Sequence, residues 1–319
     1  MDNKHLNYWR SQLDSVSLLD LPTDFPRMPR VVHESANVPV AIDAALQKAL
    51  VELSCRHGVT LFAVLLSALK VLLHRYARQD DICVGARVET AKIDSSALTA
   101  GVQSLDVPSS GALPAGTINT YAIRSHLLDN PLDLSLLTQV QQHLNDACQH
   151  SDIPFDQLIE ALGFPPESGF PPLFRILFVF ENTTSNPASS KAASLASPQT
   201  RYDMTLVLCE KMGTLTGHWE YSTALFAEAT LQRMCAHFVH ILKSFAYSPG
   251  VAVDDIEFLS AAEQKQLLID WNNTARPYAR DASLAEVFEA IVDRFPERVA
   301  VRESTRMLTY AQLDAQANA

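Results

Sequence analysis

One segment restricts the folds open to this 319-residue chain more than any other. Thr60 can cap a helix, LFAVLLSALKVLLHRYAR, that is apolar around most of its circumference. A surface helix keeps a polar face, so a helix without one is buried on more than one side. Asp80-Asp81 then turns the chain into Ile82-Cys83-Val84-Gly85, a short buried strand. Just upstream, Val38 to Arg56 reads as an amphipathic helix, with Ala45, Leu46, Leu50 and Leu53 on one stripe and Gly58 as its stop. A helix-helix-strand block of this kind predicts an α/β protein built of mixed α and β layers.

The most distinctive stretch is HSDIPFDQLIEALGFPPESGFPPLFRILFVFEN, His150 to Asn182. Asp152 and Pro154 suit a helix start, because Asp caps and Pro fits a first turn. Gln157 to Leu162 reads as a short helix ended by Gly163. A Pro/Gly loop through Pro172 follows, and Leu173 to Glu181 alternates, with Phe174, Ile176, Phe178 and Phe180 on one face. The other face, with Leu173, Leu177 and Val179, is nearly as apolar, which predicts an interior strand covered on both sides.

The remainder fills in around these pieces. YWRSQL is a short helix, and LPTDFPRMPR an extended surface segment. Glu89 to Ala115 is non-periodic and reads as an irregular surface excursion, Thr117 to Arg124 as a strand and Leu134 to Gln149 as a helix. The Ser/Ala/Pro-rich run after Asn182 reads as a flexible connection. RYDMTLVLCE and LTGHWEYST form two strands around Lys211-Met212-Gly213, and Leu231 to Phe245 a helix closed by Pro249-Gly250. Beyond Gly250, Ser260-Ala-Ala-Glu263 and Ser283-Leu-Ala-Glu286 are capping boxes on either side of a polar linker. Arg298 to Arg302 and Met307 to Thr309 are short strands. The sequence stops inside a helix that begins near Ala311, so the natural unit is expected to continue.

Composition excludes several functions. A net charge of −11 without any basic run argues against binding nucleic acid or anionic membrane. The five cysteines are scattered without a CxxC pair and read as reduced, mostly buried thiols of a cytoplasmic protein. The N-terminus lacks a signal-peptide core, and the most apolar run, Leu61 to Leu73, is too short to span a bilayer.

No catalytic constellation is complete. There is no phosphate-binding Gly loop, HExxH or GxSxG. His237 and His240 have metal-compatible spacing but no third ligand, and read as a half-exposed helix face. His150 has the most distinctive setting of any histidine, and is expected to hold its turn by hydrogen bonding rather than to act as a base.

A series of ordered motifs carries a resemblance over nearly the whole chain. These are YWRSQL with LPTDFPR, the helix-strand GVTLFAVLLSALKVLLHRYARQDDICVG, INTYAIR, HSDIPFDQL, PPLFRILFVFEN, RYDMTL with WEYSTALF, and LLIDWNNTARPY; LTYAQLDAQAN closes the series. Together they resemble the C-terminal lobe of a nonribosomal peptide synthetase condensation domain, followed by the condensation–adenylation linker and the start of an adenylation domain. The resemblance implies a chloramphenicol-acetyltransferase-like lobe over residues 1–255, a linker over 256–282 and an adenylation start over 283–319. It marks Asn119, Thr120, Arg124, His150, Asp152, Pro154, Phe155, Pro172, Leu173, Phe174 and Asp203 as fold or tunnel positions. Trp271, Asn272 and Thr274 are linker anchors, and Leu308, Thr309, Tyr310 and Leu313 the adenylation-start motif.

In that family two carrier-bound thioesters meet between two lobes, and an amine attacks an acyl thioester. The implied partners are peptidyl or acyl carrier domains presenting phosphopantetheine, an N-terminal condensation lobe and an adenylation core; the chain itself is expected to bind no cofactor or metal. The family's HHxxxDG motif lies in the N-terminal lobe, and no two adjacent histidines occur here. The expectation is therefore a region that supports condensation but is inactive alone. Two departures add to this. The family's NR pair after the strand at Gly85 is replaced by Arg87-Val88-Glu89, and its FVNT-type segment is reduced to GTINT. Two alternatives remain open: a non-catalytic carrier-docking module, and a stand-alone acyltransferase using His150 as base.

Overall fold

The computed structural model describes residues 3–27, 34–89, 118–151, 153–163, 173–182, 202–211, 214–278 and 280–319. Asp152, Pro172, the body of the Glu89–Ala115 excursion and the low-complexity run after Asn182 lie outside the described residues. The chain divides into two units, Met1–Ala261 and Ala262–Ala319.

The first unit contains α1 (Asn3–Gln12), β1 (Ser35–Ile42), α2 (Ala44–His57), α3 (Leu61–Ala77), β2 (Asp81–Glu89), β3 (Ile118–His126), α4 (Asp133–Gln149), α5 (Phe155–Ala161), β4 (Ile176–Asn182), β5 (Met204–Lys211), β6 (Thr214–Ser222) and α6 (Glu228–Tyr247). Six strands form one mixed sheet in the order β1-β6-β5-β4-β2-β3. β2, β4 and β5 run parallel, while β3, β6 and β1 pair antiparallel with their neighbours. Helices α2, α3, α4 and α6 pack on one another and over β6, β2, β3 and β1 respectively.

α3 forms where the apolar run is capped. The Thr60 hydroxyl accepts from the Ala63 amide, and both its own amide and hydroxyl donate to Gln141 Oε1 of α4 at 2.8 Å. Every residue from Ala63 to Leu73 is buried, which bears out the expectation of a helix covered on several sides. Lys70 lies among them, fully buried. β4 is interior, and Phe174, Ile176 and Phe178 on one face and Leu177 and Val179 on the other are all buried.

Four expectations need correction. Val38 to Arg56 is not one helix. Val38, Val40 and Ile42 are buried and alternate with exposed residues in the strand β1, and α2 starts only after Asp43, whose carboxylate accepts from the Leu46 amide at 2.8 Å. Ala45 is exposed, and the buried stripe of α2 is Leu46, Gln47, Leu50, Leu53 and Ser54. α5 begins at Phe155, with Pro154 in the N-cap position rather than inside the first turn. His237 is buried rather than half-exposed, with Nδ1 2.8 Å from the Tyr76 hydroxyl. The cysteines are not mostly buried, since only Cys83 and Cys235 are so placed and Cys55 is exposed.

The last segment of this unit is strapped down. Val253–Asp255 forms a 3-10 turn. Asp254 Oδ1 meets His74 Nε2 at 3.1 Å, and its carbonyl accepts from Arg75. Phe258 lies under the Arg75 guanidinium at 4.9 Å and edge-on to the His237 ring.

The second unit holds α7 (Ala261–Lys265), whose first residue closes the first unit, a π turn (Gln266–Asp270), α8 (Leu284–Arg294), β7 (Val299–Glu303), β8 (Arg306–Thr309) and α9 (Tyr310–Ala317). β7 and β8 form an antiparallel pair. Ser283 and Thr309 each close a full capping box, with Glu286 and Gln312. None of its described residues is buried.

Candidate functional site

The marked residues fall into three groups. The first gathers α1, β3, α4 and α5. His150 ends α4, its amide donating to the carbonyls of Asp146 and Ala147. Its ring stacks on Tyr8 at 4.0 Å and 12°, and its Nδ1 lies 2.9 Å from His5 Nδ1. Its carbonyl accepts from the indole N–H of Trp9 at 3.1 Å. The His150 ring thus joins the end of α4 to α1. Asn119 is buried; its Oδ1 accepts from the Thr120 amide and its Nδ2 donates to the Ile153 carbonyl, linking β3 to the start of α5.

Arg124 works at the same corner as a clamp. Its Nε and Nη2 donate to both oxygens of Asp81 at 2.7 and 2.9 Å, and Nη1 reaches the carbonyls of Gln12 and Asp14. Burial pushes the Asp81 carboxyl up, but the Arg124 bond and the Ser17 amide outweigh it and hold the group below the usual carboxylate range. The charge-assisted bond to Asp81 raises the guanidinium in turn.

The second group lies where β4 and β5 begin. Leu173 and Phe174 are fully buried, and Phe174 stacks on Tyr202 at 5.7 Å and meets Phe155 of α5 at 5.3 Å. A Cβ on Gly85 of β2 would lie 2.1 Å from the Phe174 ring, so glycine is what admits it. Asp203, with its side chain 1% exposed, takes a bidentate pair from Arg27 at 2.9 and 2.6 Å. That bond is the main reason the Arg27 guanidinium is raised. The third group, in the second unit, is exposed or half-buried. Asn272 donates to the carbonyls of Leu267 and Leu268, Trp271 is exposed, and the Thr274 amide donates to the Asn272 carbonyl. Thr309 caps α9 and Tyr310 lies 6.1 Å from Phe288, while Leu308 and Leu313 are half-buried.

Sequence reasoning passed over Lys70. Its ammonium donates to the Ile123 carbonyl at 2.8 Å and the Ser125 hydroxyl at 2.7 Å, and Ile82 O lies at 3.5 Å. Burial without a carboxylate in contact pulls it down from 10.5 to about 7. The signal was present as a lysine inside an otherwise apolar helix.

Chemically, these groups position backbone and fill space. Among the described residues no set of three His, Cys, Asp or Glu side chains is arranged to hold a metal. No single helix among them is long and apolar enough to cross a membrane. A shallow groove of about 300 Å³ lies between β1 and α6, lined by Pro39, Val40, Cys235 and Val239.

A mixed six-stranded sheet under a layer of long helices is the chloramphenicol-acetyltransferase-like α/β architecture. The condensation domain model matches residues 2–92 and 116–268, and the chain belongs to that family. It is 31% identical over 98% of its length to tyrocidine synthase 2 of Brevibacillus parabrevis, and 32% identical over 98% to malpibaldin synthetase of Mortierella alpina. It spans only 8% and 6% of those two relatives. Among solved structures, a four-domain nonribosomal peptide synthetase bound to AMP and glycine superposes with a TM-score of 0.77 at 19% identity. That match covers 98% of this chain and 24% of the other, and it speaks for the fold.

Proposed function

We propose that residues 1–255 are the C-terminal lobe of a peptide synthetase condensation domain, supporting amide-bond formation between two carrier-bound thioesters. In this reading the amine of one aminoacyl thioester attacks the acyl carbon of the other. The C–N bond forms, the C–S bond breaks, and the donor's phosphopantetheine thiol leaves with the proton. The observation that carries the reading is how the motif positions cluster. Asn119, Phe155, Phe174 and Asp203 brace the sheet between β3 and β5 instead of forming a nucleophile–base pair. This is the expected role for a lobe that walls a reaction space while the HHxxxDG motif is supplied by another lobe. His150 as a base is disfavoured, because its ring is stacked on Tyr8 and its Nδ1 engaged with His5.

The same reading takes 256–282 as the condensation–adenylation linker and 283–319 as the start of an adenylation domain, within a cytoplasmic assembly whose partners are carrier domains. Support comes from the motifs LLIDWNNTARPY and LTYAQLDAQAN. The test is a condensation assay with aminoacyl thioesters on carrier proteins. The chain alone should give no dipeptidyl product, and adding a separately produced N-terminal lobe bearing HHxxxDG should restore it. Product from the chain alone, or no binding to the lobe and to the loaded carriers, overturns the reading.

A further inference from the structure

We propose that residues 24–27 form a positioning strap for the wall of the reaction space, with Arg27 acting through Asp203 on the Tyr202–Phe174 stack. The proposal rests on the condensation reading above. Pro22 and Pro26 restrict the backbone on both sides of Asp24, so the strap is stiff. Its two charged residues grip different elements. Asp24 caps α6 from outside. The helix starts after Ala227, whose side chain cannot cap, and the Asp24 carboxylate accepts from the Ala227 amide at 2.8 Å and the Thr230 hydroxyl at 3.0 Å. The amides of Asp24 and Phe25 donate to the Leu225 carbonyl in the same turn.

Three residues on, the Arg27 fork takes both oxygens of Asp203, whose side chain is 1% exposed. The two grips meet. The Asp203 carbonyl accepts from the Ser222 amide at 3.1 Å, at the head of the turn that Asp24 holds, and the Asp203 amide donates to the Arg175 carbonyl at 2.9 Å. Asp203 is thus fixed from the start of β4, from the β6–α6 turn and from the strap. Its chain neighbour Tyr202 stacks on Phe174 within 10° of parallel. A planar fork on a carboxylate fixes direction as well as distance. Arg27 therefore sets how the two rings are presented, as a positioning residue and not a catalytic one.

Two measurements on the full chain test this: hydrogen exchange, and steady-state condensation with a separately produced HHxxxDG-bearing lobe at a temperature where every variant is folded. Arg27→Lys keeps the charge but not the fork. Amides of residues 203–206 and 222–226 should exchange about tenfold faster, the effect of one lost hydrogen bond, while those of 82–88 stay unchanged. In the assay kcat should fall about tenfold with KM for the carriers unchanged, because reacting groups are misplaced rather than unbound. Arg27→Gln with Asp203→Asn leaves a neutral pair and no unpaired buried charge, and should show the same two changes. Unchanged exchange in both variants, or faster exchange with wild-type kcat, overturns the proposal. If the wild-type chain with the lobe gives no product, the condensation reading falls; exchange then decides alone whether Arg27 positions Asp203, a tenfold rise supporting it and no change overturning it.

Discussion

The ring of Phe174 occupies the volume that a side chain at Gly85 would need; a Cβ placed there would be 2.1 Å from Phe174 Cε2. The ring cannot yield easily, because Tyr202 stacks on it and Phe155 abuts it. Gly85→Ala should therefore destabilise the fold by about 1–3 kcal/mol through overpacking. Phe174→Leu in the same chain should return part of that loss, and urea melts of the single and double variants would show the non-additivity.

Lys70 gives the fold a pH dependence of predictable sign. Its ammonium is held at about 7, well below its unfolded value. Between about pH 7 and 10.4 the unfolded chain binds more protons at this site, so stability rises with pH across that window and is lost as pH falls through 7. The urea midpoint should climb from pH 6.5 to 9.5, with an effect of a few kcal/mol at most. Lys70→Met should flatten the climb, and an unchanged slope in that variant would assign it elsewhere.

Arg124 is not replaceable by lysine. Its planar fork serves both Asp81 oxygens and two carbonyls at the end of α1 at once, which a single ammonium cannot do. Arg124→Lys should cost about 2–3 kcal/mol in a denaturant melt. Asp81→Asn should cost a similar amount, and the double variant less than the sum.

Phe258 holds the closing strap by ring contacts. Phe258→Ala should leave the sheet intact while exposing 253–258 to protease, because the contact with His237 and the cover of Arg75 are both lost. Unchanged cleavage kinetics at this segment would show that His74 and Arg75 at Asp254 suffice.

Local patterns carried far in this chain. Thr60, Gly58 and Ser283 terminate helices where their chemistry says they should, and the two-sided apolar run of β4 marked an interior strand. β1 was missed although its signal is present. Val38, Val40 and Ile42 alternate, and Asp43 is a good cap, but Pro39 and the helix-forming alanines hide the change of period. An edge strand tolerates that proline, because one side of its backbone has no partner to receive a hydrogen bond. The burial of His237 depends on Tyr76 and Phe258, the seating of Lys70 on Ile123 and Ser125, and the need for Gly85 on Phe174. Each such partner lies on another element, and periodicity says nothing about which elements meet.

The sheet order also sets a timetable. β1 is made early but lies beside β6, with Ser35 opposite Ser222. On a growing chain it has no neighbour until nearly all of the first unit has been synthesised. Val38, Val40 and Ile42 must wait exposed through that interval, a vulnerability typical of long-range strand pairing. Pro39 in mid-strand removes one amide from the waiting edge and makes it a poorer template for a wrong partner. The residue that obscured this strand in the sequence thus helps to keep it unpaired until its own partner exists.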